Sequence, residues 1–208
     1  MSEFFTKNNV NIPSIGLGTW DLRGNECENA IQVALDVGYR HIDTAQMYEN
    51  EKEIGNAITN SKIKRDKLFI TTKINTLVVK NNTISDSFEK SLQNLKTDFV
   101  DLLLIHFPVF TTNLSDMLKI LFKLKEVGKT KNIGISNFNH TLVQECTDLG
   151  YEDIFCNQVE YHPYLNQQSI IEAVKKYNIL PVAYCPLAKG ELLDNQMILE
   201  IANKYLKT

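Results

Sequence analysis

Four polar side chains, Asp43, Tyr48, Lys73 and His106, have the residue types that proton transfer requires, and each ends or follows an apolar run. Lys73 stands inside such a run, and a lysine is almost never buried without a partner. The acid at the end of the neighbouring run, Asp43, is the partner that we expect. A histidine or a tyrosine at a strand end is more often structural when taken alone, but packing does not explain four such groups that meet at one site.

Together these groups fit the donation of a proton to a carbonyl oxygen. A free phenol has a pKa of about 10, and a nearby ammonium favours its ionised form. A carboxylate paired with that ammonium fixes its position, and a neutral imidazole can hydrogen-bond the carbonyl oxygen. The hydride that completes such a reduction has to come from a cofactor.

Short β-like runs alternate with helix-like runs along the whole chain. Several strand candidates are almost continuously apolar, which is typical of parallel strands buried on both faces. The strand candidates are residues 14–18, 40–44, 67–74, 99–106, 132–136, 154–160 and 180–184. Strict alternation of this kind predicts an α/β fold with a parallel sheet, either open and doubly wound or closed into a barrel.

The helical segments show apolar stripes and recognisable ends. One stripe is Ala30, Val33, Ala34 and Val37, and a glycine follows it. Asn50, with Glu53 three residues later, resembles a capping box. Further helices are predicted from the apolar spacing of residues 88–95, 114–127, 142–149, 170–177 and 194–206.

Known phosphate-loop and nucleophile motifs are missing, and this favours the barrel. Gly16 and Gly18 are followed by Gly24, so the spacing G-x-G-x-x-G fails. There is no P-loop, and residues 133–137 do not make G-x-S-x-G. We therefore predict a parallel (β/α)8-type TIM barrel, with its chemistry at the carboxyl ends of the strands. Residues 4–12 predict a hairpin that turns at Asn8-Asn9 and covers one end of the barrel.

Composition excludes several classes of function. The 208 residues predict a single domain, residues 1–208, and a net charge of −3 offers no basic surface for nucleic acid. No apolar run reaches the roughly 18 residues of a membrane span. The four cysteines have no metal-binding spacing, so we expect no metal site and a reduced, cytoplasmic protein.

Several motifs make the chain similar to the aldo-keto reductase superfamily. The longest match is residues 38–45, Gly-Tyr-Arg-His-Ile-Asp-Thr-Ala, followed by Tyr48, Glu51, Ile54 and Gly55. Shorter matches are residues 15–20, 72–73, 101–106, 134–138, 157–163 and 183–187. The resemblance covers essentially all 208 residues.

The resemblance implies a role for each residue that carries it. Tyr48 would be the proton donor, Lys73 and Asp43 its tuning pair, and His106 the group that orients the carbonyl. The implied cofactor is NADPH, with NAD not excluded. Its implied contacts are Thr19, Asp43, Ser136, Asn137, Gln158, Tyr184 and Leu187. The implied walls of the pocket for a small carbonyl substrate are Trp20, Met47, His106 and Phe107.

The chain also departs from the family pattern. Phe107 stands where the family often has Trp, and Cys185 where it often has Ser. About seven strands are visible, so we expect a barrel without its eighth strand and without the C-terminal helices and 2′-phosphate contacts of the family. Open barrel edges would favour self-association. The alternative to an active reductase is a truncated, catalytically silent relative or a binding module on the same barrel.

Overall fold

The protein was analysed as a computed structural model, which describes residues 4–77, 83–108 and 113–207. Nine β-strands and seven α-helices occur within those ranges. The strands are β1 (Phe4–Lys7), β2 (Val10–Pro13), β3 (Leu17–Gly18), β4 (His41–Asp43), β5 (Phe69–Ile74), β6 (Leu102–Ile105), β7 (Ile133–Ser136), β8 (Cys156–Glu160) and β9 (Leu180–Tyr184). The helices are α1 (Gly24–Asp36), α2 (Glu51–Asn60), α3 (Ile84–Leu95), α4 (Leu114–Glu126), α5 (His140–Asp148), α6 (Gln168–Lys176) and α7 (Gln196–Lys204).

Seven strands, from β3 to β9, form one parallel sheet in sequence order, and an α-helix follows each of them along the chain. The sheet is a nearly closed barrel, as the alternation predicted. Most observed strands lie within the predicted runs and are shorter than those runs. The difference in length is largest for β3 and β6. In the described part of the chain no eighth strand joins β9 to β3, and a cleft lies between these two edges.

Alternation along each strand sends one set of side chains into the barrel and the other toward the helices. On β6, Leu103 and Ile105 pack against the helices, whereas Leu102 and Leu104 fill the barrel interior. Gly134 on β7 meets that interior layer so closely that a Cβ atom would lie 2.5 Å from a Leu104 methyl carbon. The barrel therefore has a packed core beneath its mouth.

The N-terminal hairpin forms as predicted. Asn8 and Asn9 both have positive φ, 49° and 62°, which suits a tight turn between antiparallel strands. Lys7 on β1 is buried and donates hydrogen bonds to the carbonyl oxygens of Ile154 and Phe155, at 3.3 and 2.7 Å, and of Asn178. These carbonyls precede β8 and β9, so the hairpin covers the amino-terminal end of the barrel, opposite the predicted site.

Two details of the helices differ from the prediction. On α1 the buried side chains are Cys27, Ile31, Ala34 and Leu35, while Val33 and Val37 of the predicted stripe are 60% and 70% exposed. The predicted stripe is therefore confirmed at Ala34 and wrong at Val33 and Val37.

The predicted capping box at α2 is also wrong. Asn50 occupies the N-cap position but makes no side-chain cap hydrogen bond, because its amide is committed elsewhere. One carboxylate oxygen of Glu53 is buried and has no hydrogen-bond partner within the described residues. Sequence spacing alone gave no sign of this competing use of the asparagine.

Within the described ranges, no helix is both long and apolar enough to cross a membrane. The same residues contain no cluster of His, Cys, Asp and Glu suited to a metal ion. All four cysteines are unpaired thiols, and Cys27, Cys146 and Cys156 are buried. Burial raises the pKa of Cys156 to about 12, so this thiol stays protonated and unreactive. Cys185 is half-buried.

Candidate active site

Strand alternation brings Asp43 and Lys73 to the inner surface of the barrel. Asp43 ends β4, and Lys73 lies two residues after Thr71, which is the partner of Asp43 in the sheet register. Lys73 is 1% exposed, and its Nζ donates to Asp43 Oδ1 at 2.5 Å and to the Thr44 carbonyl at 2.9 Å. Burial alone would lower the pKa of Lys73, but the charge of Asp43 and the Tyr48 hydroxyl outweigh it and leave the pKa raised. Lys73 is therefore a buried cation.

Tyr48 lies on the short 3-10 turn Gln46–Tyr48 that follows β4. Lys73 Nζ donates to the Tyr48 hydroxyl oxygen at 3.3 Å. The Gln46 amide holds this turn, because it accepts from the Asn75 backbone N–H at 2.8 Å and donates to Ser91 Oγ at 3.0 Å. The lysine ammonium thus bridges the Asp43 carboxylate and the Tyr48 phenol.

His106 follows β6, and its ring packs edge-on against the Tyr48 ring, with centroids 5.6 Å apart. On its other side it stacks on Phe107 at 4.7 Å. Burial, together with the Lys73 cation, lowers the pKa of His106 to about 4. Its Nδ1 is buried and has no partner among the described residues. The ring is therefore neutral at physiological pH.

A second polar group lies across the barrel mouth, on the ends of β7 and β8. Gln158 Nε2 donates to Asp43 Oδ2 at 2.6 Å, so each oxygen of that carboxylate has its own donor. The Gln158 carbonyl accepts from Ser136 Oγ and from the Asn137 backbone N–H, both at 2.9 Å. Asn137 Nδ2 donates to the His106 carbonyl at 3.0 Å. Hydrogen bonds therefore connect the proton-transfer residues to both strands.

Tyr184, at the end of β9, belongs to the same group. Its hydroxyl donates to Asn137 Oδ1 at 2.9 Å, and burial raises the pKa of this phenol. Cys185 follows with a φ of +49°, which turns the chain sharply over the edge of the sheet. The Tyr184 ring is thus anchored at its hydroxyl beside the cleft.

The cleft between β3 and β9 opens beside these groups and has a volume of about 1100 Å³. Its lining at the mouth includes Gly18, Asp43, Gln158, Tyr184 and Cys185. Several predicted contact residues are exposed around the mouth, namely Trp20 (61%), Met47 (38%) and Leu187 (60%). Thr19 is fully buried and donates its hydroxyl to the Asp43 carbonyl at 3.0 Å. Thr19 therefore supports the floor of the site.

The sequence analysis gave no role to a second buried acid behind Lys73. Glu51 is 5% exposed and accepts a hydrogen bond from Thr72 Oγ1 at 2.7 Å. Burial raises the pKa of Glu51 above its ordinary value. A sequence signal existed, since Glu51 belongs to the long motif that begins at Gly38, but spacing alone did not show its contact.

Two histidines and two cations outside the site have structural contacts. His41 is buried, with its Nε2 3.0 Å from Thr71 Oγ1, and His162 Nε2 lies 3.2 Å from Glu160. Arg65 donates to Asp101 Oδ2 at 2.8 Å, and Lys131 donates to the other oxygen of that buried acid at 2.9 Å. These groups lie apart from the four converging residues.

A parallel barrel with a phenol, a buried ammonium, a carboxylate and a neutral imidazole at its carboxyl end defines a class of oxidoreductases. The aldo/keto reductase family model matches residues 14–204, and the chain belongs to this family. Its class of activity is therefore oxidoreduction at carbonyl compounds, with a nicotinamide cofactor.

Known proteins agree with this assignment. Methylglyoxal reductase DkgB from Escherichia coli O157:H7 is 39% identical over 200 residues, which cover 95% of this chain and 75% of that protein. A solved aldo/keto reductase from Brucella melitensis is 34% identical, with a TM-score of 0.92, over 100% of this chain and 81% of that one. An aldose reductase structure from Schistosoma japonicum is 32% identical, with a TM-score of 0.89, over 97% of this chain and 74% of that one.

Proposed function

We propose that this chain is a cytoplasmic, NADPH-dependent reductase that converts small aldehydes and ketones to alcohols, with NADH as a second coenzyme to be tested. The contact that carries the proposal is that of Lys73 Nζ, which lies 2.5 Å from Asp43 Oδ1 and 3.3 Å from the Tyr48 hydroxyl. A buried ammonium between a carboxylate and a phenol has no packing value of its own, since charges are expensive to bury.

Tyr48 is the proposed proton donor. As its hydroxyl proton passes to the substrate oxygen, the phenol oxygen becomes negative, and the ammonium beside it stabilises that charge. Asp43 and the Thr44 carbonyl hold the ammonium in place, because they accept two of its three N–H groups. When bound, NADPH supplies the hydride for the carbonyl carbon.

His106 is the proposed orienting group for the substrate oxygen. A protonated ring would need a partner for both nitrogens, but Nδ1 is buried and unpaired within the described chain. The neutral form with its proton on Nε2 avoids that penalty and offers one N–H donor. This donor can polarise a carbonyl oxygen without competing with Tyr48 for the role of acid.

The polar groups on β7 and β8 fit a nicotinamide carboxamide. Ser136, Asn137 and Gln158 place hydroxyl and amide groups side by side, and such groups can both donate to and accept from a primary amide. The anchored Tyr184 ring offers an aromatic face for the pyridine ring. Leu187 is exposed and follows the cleft residues Cys185 and Pro186, so it can contact the cofactor, while Thr19 acts through its hydrogen bond to the Asp43 carbonyl.

The walls of the proposed substrate pocket are aromatic and apolar. Phe107 stacks on His106, and Trp20 and Met47 are exposed on the segments that follow β3 and β4, so an aromatic and apolar wall suits a small, mostly unsubstituted carbonyl compound. One similar protein is named a methylglyoxal reductase, which makes methylglyoxal a reasonable first substrate. We propose 4-nitrobenzaldehyde as an aromatic comparison.

The test is oxidation of NADPH by the purified chain with methylglyoxal or 4-nitrobenzaldehyde. We expect turnover by the natural sequence and by Tyr205→Phe, a control at an exposed tyrosine that follows α7. We expect almost none from Tyr48→Phe. Absence of turnover together with absence of NADPH binding, measured by quenching of protein fluorescence, would instead support the catalytically silent alternative.

A further inference from the structure

Asn50 carries a hydrogen-bonding arrangement that the proposed mechanism does not use. The residue is 0% exposed, and its side-chain amide makes three hydrogen bonds. Its Oδ1 accepts from Thr44 Oγ1 at 2.8 Å, and its Nδ2 donates to the carbonyls of Thr19 at 2.7 Å and Leu22 at 3.1 Å. One amide thus joins a strand end to a loop 28 to 31 residues earlier in the chain.

The two joined segments have different tasks at the mouth. Thr44 provides the carbonyl that accepts from Lys73 Nζ, so it belongs to the support of the buried ammonium. The loop from Thr19 to Leu22 carries Trp20, which is exposed at the proposed substrate pocket. Asn50 lies two residues after Tyr48, so it is also linked to the proton donor through the backbone.

An asparagine suits this place because its planar amide offers an acceptor and two donor hydrogens on a short side chain. Without the amide, the Thr19 carbonyl would keep, among the described residues, only the Leu22 N–H, at 3.2 Å, and the Leu22 carbonyl only the Arg23 guanidinium, at 2.8 Å, so the loop would lose both of its bonds to the strand end. Because Leu22 donates its N–H to the Thr19 carbonyl, the loop is a hydrogen-bonded turn. The Asn50 amide holds this turn through both of its donated hydrogen bonds.

We infer that Asn50 is a positioning residue that holds the loop carrying Trp20 against the segment that supports Lys73 and Tyr48. The proposed wall of the substrate pocket and the proton donor then keep a fixed position relative to each other. This inference rests on the proposed function for its catalytic consequence. Its structural part has an independent readout, because Trp20 is the single tryptophan of the chain. Tryptophan fluorescence, excited selectively over the eight tyrosines, therefore reports this loop and the Lys189 ammonium that lies 5.4 Å from the centre of the Trp20 ring.

The first experiment measures fluorescence anisotropy decay and acrylamide quenching of Trp20 in Asn50→Ala. We expect faster local motion in the anisotropy decay, as for a loop that has lost a buried anchor, and only a small rise in quenching, because the ring is already 61% exposed. The matched control is Asn132→Ala, at a buried asparagine before β7 that donates to the Asp101 carbonyl at the opposite end of the barrel. We expect the control to lower Tm without changing the Trp20 signals.

The second experiment compares kcat/KM for 4-nitrobenzaldehyde and methylglyoxal. Loss of folded protein would reduce both equally, whereas a displaced wall should reduce the aromatic substrate about tenfold more, since small misplacements have large kinetic effects. Thr44→Val is isosteric and removes one hydrogen bond, the one from Thr44 to Asn50. This variant replaces Asn50→Ala in both experiments if Asn50→Ala does not fold. We expect the same change in the substrate ratio, but smaller.

The outcomes separate the inference from the proposed function. Unchanged Trp20 dynamics in the variants would overturn the inference, as would equal losses for both substrates. If the natural chain reduces no carbonyl compound, the proposed function fails, and the Trp20 measurements still decide whether Asn50 holds the loop.

Discussion

Replacing Lys73 with methionine removes the buried ammonium while keeping an unbranched side chain of similar length. Lys73 is 1% exposed and contacts Asp43, Thr44 and Tyr48 through its Nζ. The substitution therefore removes only the ammonium group from the centre of the site. The Tyr48 hydroxyl then has no cation to stabilise the charge that forms when its proton leaves. We predict a loss of kcat with little change in cofactor binding.

The distance from Lys73 to Tyr48 sets the size of this effect. Two unit charges 3.3 Å apart interact by about 5 kcal/mol at an effective dielectric constant of about 20. Asp43 opposes part of this attraction, and the proton is only partly transferred in the transition state. About half of the value, roughly 2.5 kcal/mol, corresponds to a decrease in kcat of about 10²-fold.

The assay is steady-state NADPH oxidation, with Lys64→Met at an exposed lysine as the control. Lys73→Met also leaves Asp43 without its cation, so a lower Tm is expected. The double variant Asp43→Asn/Lys73→Met removes that unpaired charge, and we expect it to recover Tm but not kcat. A folded Lys73→Met protein that keeps more than about a third of the natural kcat would refute the electrostatic reasoning.

Three further outcomes follow from other contacts. The His106 ring should titrate near pH 4 in an NMR experiment. Because this pKa in the folded protein lies below the ordinary value of 6.5, the stability that the neutral ring contributes is complete above pH 6.5 and is lost as the pH falls toward 4. A midpoint near 6.5 would contradict this. Lys7→Met should lower the free energy of unfolding by about 3 kcal/mol in urea, since the carbonyls of Ile154 and Asn178 lose their lysine donor, while the Phe155 carbonyl keeps the Leu180 N–H at 3.0 Å. A loss no larger than that of Lys64→Met would contradict it. We also propose that the open edges of β3 and β9 cause self-association, so light scattering should show species larger than one chain, whereas a stable dilute monomer would count against it.

Much of the fold follows from the sequence, because alternation and continuous apolar runs are strong signals for parallel strands. The run that contains Leu102–Ile105 packs on both faces, as predicted. The meeting of Asp43 and Lys73 also follows from sequence, since a lysine in a buried strand requires a counter-charge and the neighbouring strand supplies one. The functional roles of these residues remain proposals.

Contacts that form only in the folded protein explain the two features of the helices that the sequence did not predict. Asn50 has the residue type and position of a cap, but its amide is taken by Thr44, six residues away, and by the Thr19 and Leu22 carbonyls, 31 and 28 residues away. The buried face of α1 was only partly predicted, because Ile31 and Leu35 lie on one side of the helix and Val33 on another, and packing decides which side is buried. Local spacing gives no information on partners that are about 30 residues away.

The central claim is that Tyr48 protonates the substrate oxygen, and single-turnover kinetics test it most directly. Enzyme saturated with NADPH is mixed rapidly with methylglyoxal, and the first hydride transfer is followed for the natural chain and for Tyr48→Phe. We predict a rate at least about 10²-fold slower in the variant, with an unchanged dissociation constant for NADPH. A Tyr48→Phe rate within about threefold of the natural one would contradict the claim, whatever else the site contains.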